Sequence, residues 1–128
     1  MQAKKPPPIR TYRDLVLWQK AMDLAEAVYH STKLFEAAER YGLVAQMRAA
    51  AVSVASNIAE GFGRGRQAEF QRYLEIARGS LFELQTQGEL CRRLGWLKGA
   101  ALDGLRSRTQ EVDRPLSGLM RAVKKRKG

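Results

Sequence analysis

Apolar residues recur along this chain at three- and four-residue spacing, and no stretch alternates singly. The pattern therefore predicts helices and no strands. Leu15, Trp18, Met22, Ala25 and Tyr29 keep heptad spacing, with Leu17, Ala21, Leu24, Val28 and Phe35 as a second stripe on the same side. Together they predict a first helix over 14–35 that packs against more than one neighbour. Asp14 in its first turn suits the helix dipole. A linker over 36–42 has room for one helical turn. The second helix is predicted over 43–62. Its row Ala45, Ala49, Val52, Ser56 and Ala59 is small, so a neighbouring helix can approach it closely. Phe62-Gly63-Arg64-Gly65 ends it, with a glycine available for a left-handed C-cap.

The third predicted helix, over 67–94, keeps Phe70, Leu74, Ala77, Leu81, Leu84, Gly88 and Cys91 in a strict heptad. A second seam, Tyr73, Ile76, Ser80, Glu83, Gln87, Leu90 and Leu94, has a polar middle, and Gly95 stops the helix. The fourth, over 98–125, repeats Leu102, Leu105, Thr109, Val112, Leu116, Leu119 and Val123. Pro115 lies inside this pattern but off the seam, which predicts a kink. Short connections between long amphipathic helices favour antiparallel neighbours. The expected architecture is all-α, an up-down-up-down antiparallel four-helix bundle over 14–123. A flexible, Pro-rich basic arm at 1–13 precedes it and a basic tail at 124–128 follows.

Charge divides the chain differently. The formal net charge is +10. Every acidic residue lies between 14 and 113, where basic residues balance them, so the whole excess sits in the two terminal segments. Lys4, Lys5, Arg10 and Arg13 precede the body; Arg114, Arg121, Lys124, Lys125, Arg126 and Lys127 follow it. Such segments attract polyanions through counterion release, although a run of like charge also serves simply as a solvated tail. The 128 residues suit one domain with a real core. Cys91 is the sole cysteine, so an internal disulfide is impossible and a reducing cytoplasm is the natural compartment. The first residues hold no apolar block, and the longest uncharged stretch, 49–59, is too short and too polar to cross a bilayer. A soluble, cytoplasmic protein without membrane contact is expected.

Several spaced motifs resemble one known family. Tyr12-Arg13-Asp14-Leu15 with Trp18-Gln19-Lys20-Ala21 is similar to its opening. Arg40-Tyr41-Gly42-Leu43, Gln46 and Arg48-Ala49-Ala50 are similar to its second-helix entry, and Ser56-Asn57-Ile58-Ala59-Glu60-Gly61 to its most distinctive motif. Glu69-Phe70, Tyr73-Leu74, Ile76-Ala77, Gly79-Ser80, Glu83-Leu84 and Gln87 resemble its third helix. The family is the bacterial four-helix-bundle proteins, also called 23S rRNA intervening-sequence proteins; the resemblance covers 12–97, with a looser fit beyond. It implies a four-helix bundle assembling as a homopentamer, with no enzymatic activity and with rRNA or another nucleic acid as a partner. A related group of similar pentameric bundles serves as accessory factors for diversity-generating reverse transcriptases. The chain departs from the family pattern at Arg66 and Lys98, which stand where a capping serine is common, and at Pro115.

Candidate chemistry narrows the reading further. Asn57, Glu60, Ser80, Glu83 and Gln87 are polar groups on packing-prone helices. Across an antiparallel hairpin turning at Gly63–Gly65 they are expected to form a structural hydrogen-bond network, within the chain or with a second subunit. The competing acid–base reading lacks a nucleophile or phosphate loop. A di-iron bundle needs Glu-x-x-His on two helices; the only histidine, His30, follows Ala27 at that spacing. One histidine and one cysteine also fail a zinc site, and no cofactor is expected. The segment 61–66 lacks the Gly-Lys-Ser/Thr ending of a P-loop, and reads as a turn with a basic corner formed by Arg64, Arg66 and Arg72. Trp18 and Trp96 read as core or interface anchors, and Tyr12, between Arg10 and Arg13, as the aromatic nearest to a base-stacking position. The expected function is that of a non-enzymatic oligomeric bundle binding RNA or a ribonucleoprotein. Lys4, Lys5, Arg10, Arg13, Lys124, Lys125, Arg126 and Lys127 would contact phosphates, with Arg64 and Arg66 as a secondary corner. The alternative is a protein-interaction scaffold whose basic tails only solubilise it.

Overall fold

The computed structural model describes residues 7–33, 35 and 42–126. Lys4, Lys5, Lys127 and the linker turn expected within 36–42 lie outside those residues, except for Gly42. Among the described residues all regular structure is helical: a short 3-10 turn, Tyr12–Asp14, then α1 (Val16–Thr32), α2 (Leu43–Gly63), α3 (Gln67–Arg93) and α4 (Gly99–Arg126).

The first helix starts later than its apolar pattern suggested. Thr11 Oγ1 accepts the Arg13 N–H at 3.2 Å, and Asp14 Oδ2 accepts the N–H groups of Arg10 at 2.8 Å and Thr11 at 3.0 Å. This capping box closes the 3-10 turn, and the extended Leu15 (ψ 121°) separates it from α1. Asp14 thus caps the turn ahead of α1 and not α1 itself. At the other boundaries glycine acts as expected: Gly65 (φ 73°) and Gly95 (φ 76°) take the left-handed conformation just after α2 and α3. Arg66 precedes α3 with no side-chain cap. Helix α4 remains helical through Pro115; the proline lacks the N–H that the Glu111 carbonyl would accept.

Cross-helix contacts set the topology. Arg48 Nε donates to Thr32 Oγ1 at 3.0 Å, joining the end of α1 to the start of α2. Ser53 and Ser80 hydroxyls lie 2.8 Å apart, and Cys91 Sγ lies 3.6 Å from Met47 Sδ, so α2 and α3 run antiparallel. Arg106 pairs with Glu89 across α3–α4, and Lys20–Glu111 and Asp23–Arg108 close the ring across α1–α4. The result is an antiparallel four-helix bundle. Its interior is filled by Leu17, Leu24 and Val28 of α1, Met47, Val54 and Ile58 of α2, Leu74, Leu81 and Leu84 of α3, and Leu105, Val112 and Leu116 of α4.

In α2 the buried row is not the small one. Val44, Met47, Ala51, Val54 and Ile58 face the core, whereas Ala45, Ala49, Val52 and Ser56 are exposed and Ala59 is half-buried. The helix is apolar on nearly every side, so spacing alone selects no face; the larger side chains fill the interior because they remove more apolar surface from water. The close approach of α2 to α3 rests on Gly61, where an added Cβ would meet the Tyr73 Cβ at 2.5 Å and Phe70 Cδ1 at 3.2 Å. Gly61 is therefore a packing contact inside the helix, and the helix ends two residues later.

Candidate nucleic-acid interface

An up-down-up-down chain places the starts of α1 and α3 and the ends of α2 and α4 at the same end of the bundle. The basic segments of the sequence occupy those four places. Arg10 and Arg13 precede α1, Arg64 and Arg66 form the α2–α3 turn, Arg72 lies in the second turn of α3, and Arg121, Lys124, Lys125 and Arg126 finish α4. Two terminal segments and a central corner, separated by half the chain, thus become one basic end.

These cations are not equivalent. The Arg13 guanidinium lies over the rings of Tyr12 (5.5 Å) and Trp18 (5.8 Å), which themselves meet edge to face at 5.1 Å. Tyr12 is thereby committed to internal packing and not to a base-stacking position. Arg64 Nη2 donates to Glu60 Oε1 and to the Tyr73 hydroxyl, each at 3.0 Å. The Glu60 hydrogen bond, with the Tyr73 hydroxyl beside it, holds the Arg64 pKa above its ordinary value. Arg72 also lies over the Tyr73 ring, 5.2 Å from its centre, and pairs weakly with Glu69 at 3.9 Å. Arg66, Arg121, Lys124, Lys125 and Arg126 are exposed and form no ion pair among the described residues. Arg121, part of the C-terminal basic segment but not of the expected phosphate contacts, belongs with these candidate ligands.

The five polar residues do not form one network. Asn57 donates to the Ser53 carbonyl at 2.8 Å and to Ser53 Oγ at 3.0 Å, and Ser53 in turn meets Ser80. Glu60 belongs to the Arg64–Tyr73 cluster one turn further along. Glu83 and Gln87 pair with each other along α3 at 3.3 Å. The expected direct meeting of Asn57 and Glu60 with Ser80, Glu83 and Gln87 is thus replaced by three separate groups. The antiparallel register pairs position 53 with 80 and 60 with 73, which puts Glu60 out of reach of all three α3 residues. Ser53, four residues before Asn57 on the same helical face, was the missing link.

The opposite end has cations too, and three of them share one carboxylate. Glu89 accepts from Arg92 at 2.8 and 3.0 Å and from Arg93 at 3.2 Å, with Arg106 at 3.7 Å. The hydrogen bonds from Arg92 and Arg93 hold the Glu89 carboxyl down at about 2. At the basic end the Asp14 pKa is also lowered, chiefly by the Thr11 and Arg10 backbone N–H groups. Among the described residues no group of three or more metal-binding side chains converges, and no helix is long and apolar enough to cross a membrane. His30 is exposed, Cys91 fills the core, and Trp96 packs edge-on against Phe35 at 5.9 Å.

A search of curated proteins finds no match. The model of one family, the 23S rRNA-intervening sequence protein, matches residues 13–118, from the capped turn before α1 to about one and a half turns beyond the midpoint of α4. The match takes in α1, α2, α3 and α4 as far as residue 118, short of the basic run that finishes α4, and the chain belongs to the 23S rRNA-intervening sequence protein family.

Proposed function

We propose that the protein is a non-enzymatic, cytoplasmic homo-oligomer that binds RNA or a ribonucleoprotein through the basic end of its bundle, without a cofactor. The observation that carries this reading is the convergence of Arg66, Lys124, Lys125 and Arg126, none of them neutralised by a carboxylate, on the end where the N-terminal basic segment also emerges. Phosphate contacts of this kind supply affinity without sequence readout. Repetition of the end in each subunit of an oligomer, a pentamer by resemblance to the family, would raise avidity without a strong single site.

Self-association has support of its own. The row Ala45, Ala49, Val52 and Ser56 of α2 is exposed, and Ile76, Leu90 and Leu94 of α3 are 42–50 % exposed. An apolar face of this kind marks an interaction surface, and its small α2 residues suit close helix contact. The same face favours the second reading, a scaffold for another protein with solubilising tails. The two readings separate on titration of an rRNA fragment. RNA binding through the basic end predicts affinity that falls steeply between low and moderate salt; affinity that stays flat rejects it. In the scaffold reading, deletion of both tails leaves partner capture intact in a pull-down and the chain binds no RNA.

A further inference from the structure

One basic surface extends beyond the end of the bundle. A cleft of about 310 Å³ runs along the side between the N-terminal half of α3 and the C-terminal part of α4. Arg78 of α3 and Arg121 and Lys124 of α4 line it, with Met120 as an apolar wall and Glu75 as the one carboxylate. None of the three cations forms an ion pair among the described residues. Gln71, also in the lining, keeps a buried side-chain oxygen with no hydrogen-bond donor. Buried acceptors are normally satisfied; this one can take a donor such as a sugar hydroxyl, but not a phosphate oxygen, which is itself an acceptor.

The neighbouring aromatic is the second observation. The Arg78 guanidinium lies 5.2 Å from the centre of the Phe82 ring, one turn further along α3, and that ring is 47 % exposed. An exposed ring beside a basic groove is the arrangement on which unpaired bases stack while cations follow the backbone. A duplex is too broad to enter a cleft between two packed helices, whereas a single strand can lay one sugar–phosphate unit into it. We infer that the Arg78–Arg121–Lys124 cleft and the Phe82 ring form a seat for single-stranded nucleic acid, with phosphate held in the cleft and a base stacked on Phe82. This rests on the reading of the protein as RNA-binding and gives it a strand preference that the basic end alone does not supply.

The test measures fluorescence anisotropy of a short labelled single-stranded RNA and of the same sequence as a duplex, with the full chain. Phe82→Ala, at an exposed position, is expected to weaken single-strand binding about tenfold and leave duplex binding unchanged. Arg78→Gln with Arg121→Gln should lower the single-strand salt slope by about 1.4, at about 0.7 per phosphate contact. Glu75→Gln should tighten single-strand binding about twofold or more, a gain that misfolding cannot produce. Equal losses for both RNAs, or no change in any variant, overturns the seat while leaving the basic end in place. If the unaltered protein binds neither RNA at low salt, the RNA-binding reading itself fails.

Discussion

The two ends of the bundle differ less in the presence of arginine than in what the arginine meets. At one end Glu89 takes hydrogen bonds from Arg92 and Arg93 and stands 3.7 Å from Arg106. At the other, Glu60 and Glu69 engage only Arg64 and Arg72, and Arg66, Arg121, Lys124, Lys125 and Arg126 remain unpaired among the described residues. The lesson is that a count of basic residues does not locate a polyanion site. A guanidinium held by a carboxylate must exchange that partner for a phosphate, whereas a solvated one only releases counterions.

The sharpest break of the comparison is charge reversal at each end. Lys124→Glu with Lys125→Glu and Arg126→Glu should weaken RNA binding by about a hundredfold at moderate salt and flatten the salt dependence. Arg92→Glu with Arg93→Glu should change affinity much less, because those charges are already engaged. Equal losses in filter binding would show that total charge, not placement, governs affinity.

Next in size is the effect of Gly61→Ala. The new methyl group meets the Tyr73 Cβ, which belongs to helix α3 and cannot swing away. A destabilisation of about 1–3 kcal/mol is expected in urea unfolding. Gly79→Ala, with open space around it, should instead stabilise by about 0.5–1 kcal/mol. A neutral Gly61→Ala would mean that the basic end is not held by this contact.

A smaller change comes from converting one end into the other. Glu89→Gln removes the acceptor shared by Arg92, Arg93 and Arg106, and should raise RNA affinity about two- to fivefold by creating a second set of unpaired cations. Unchanged affinity would weaken the argument from neutralisation.

The smallest effect is the acid titration of Glu89 itself. Its folded value of about 2 lies below the ordinary 4.5. Its contribution to stability is therefore fully present above pH 4.5 and is lost as pH falls toward 2. Because the cluster is exposed, high salt should bring the midpoint back toward 4.5, as read from the carboxyl carbon by NMR. A midpoint near 4.5 at low salt would show that the arginines do not hold it.

Much of the fold was legible because helix periodicity is a local property. The heptad of α3 from Leu74 to Cys91 is buried as spaced, and the predicted helix boundaries agree with the structure within a few residues. The face of α2 was not legible. Ala45–Ala49–Val52–Ser56 and Val44–Met47–Ala51–Val54 have equivalent spacing, and only the volume of the interior distinguishes them. The division of the candidate polar residues within the chain was illegible for a related reason: their types were apparent, but whether position 60 meets 73 or 83 depends on an interhelix register that no single helix contains. The role of Gly61 was not legible because glycine marks both helix ends and close packing, and only its contact with the Tyr73 Cβ tells them apart.

By itself the sequence determined that this is a chain of four amphipathic helices with its excess charge at both termini, since spacing and charge are written residue by residue. Only the tertiary structure decided that Arg10 and Arg13, the last turn of α4 and the Arg64–Arg66 corner share one end, that Glu89 engages three arginines at the other, and that Arg78 comes to line one cleft with Arg121 and Lys124. Those facts depend on antiparallel packing, which brings together side chains tens of residues apart and sets each cation beside a carboxylate, an aromatic ring or water.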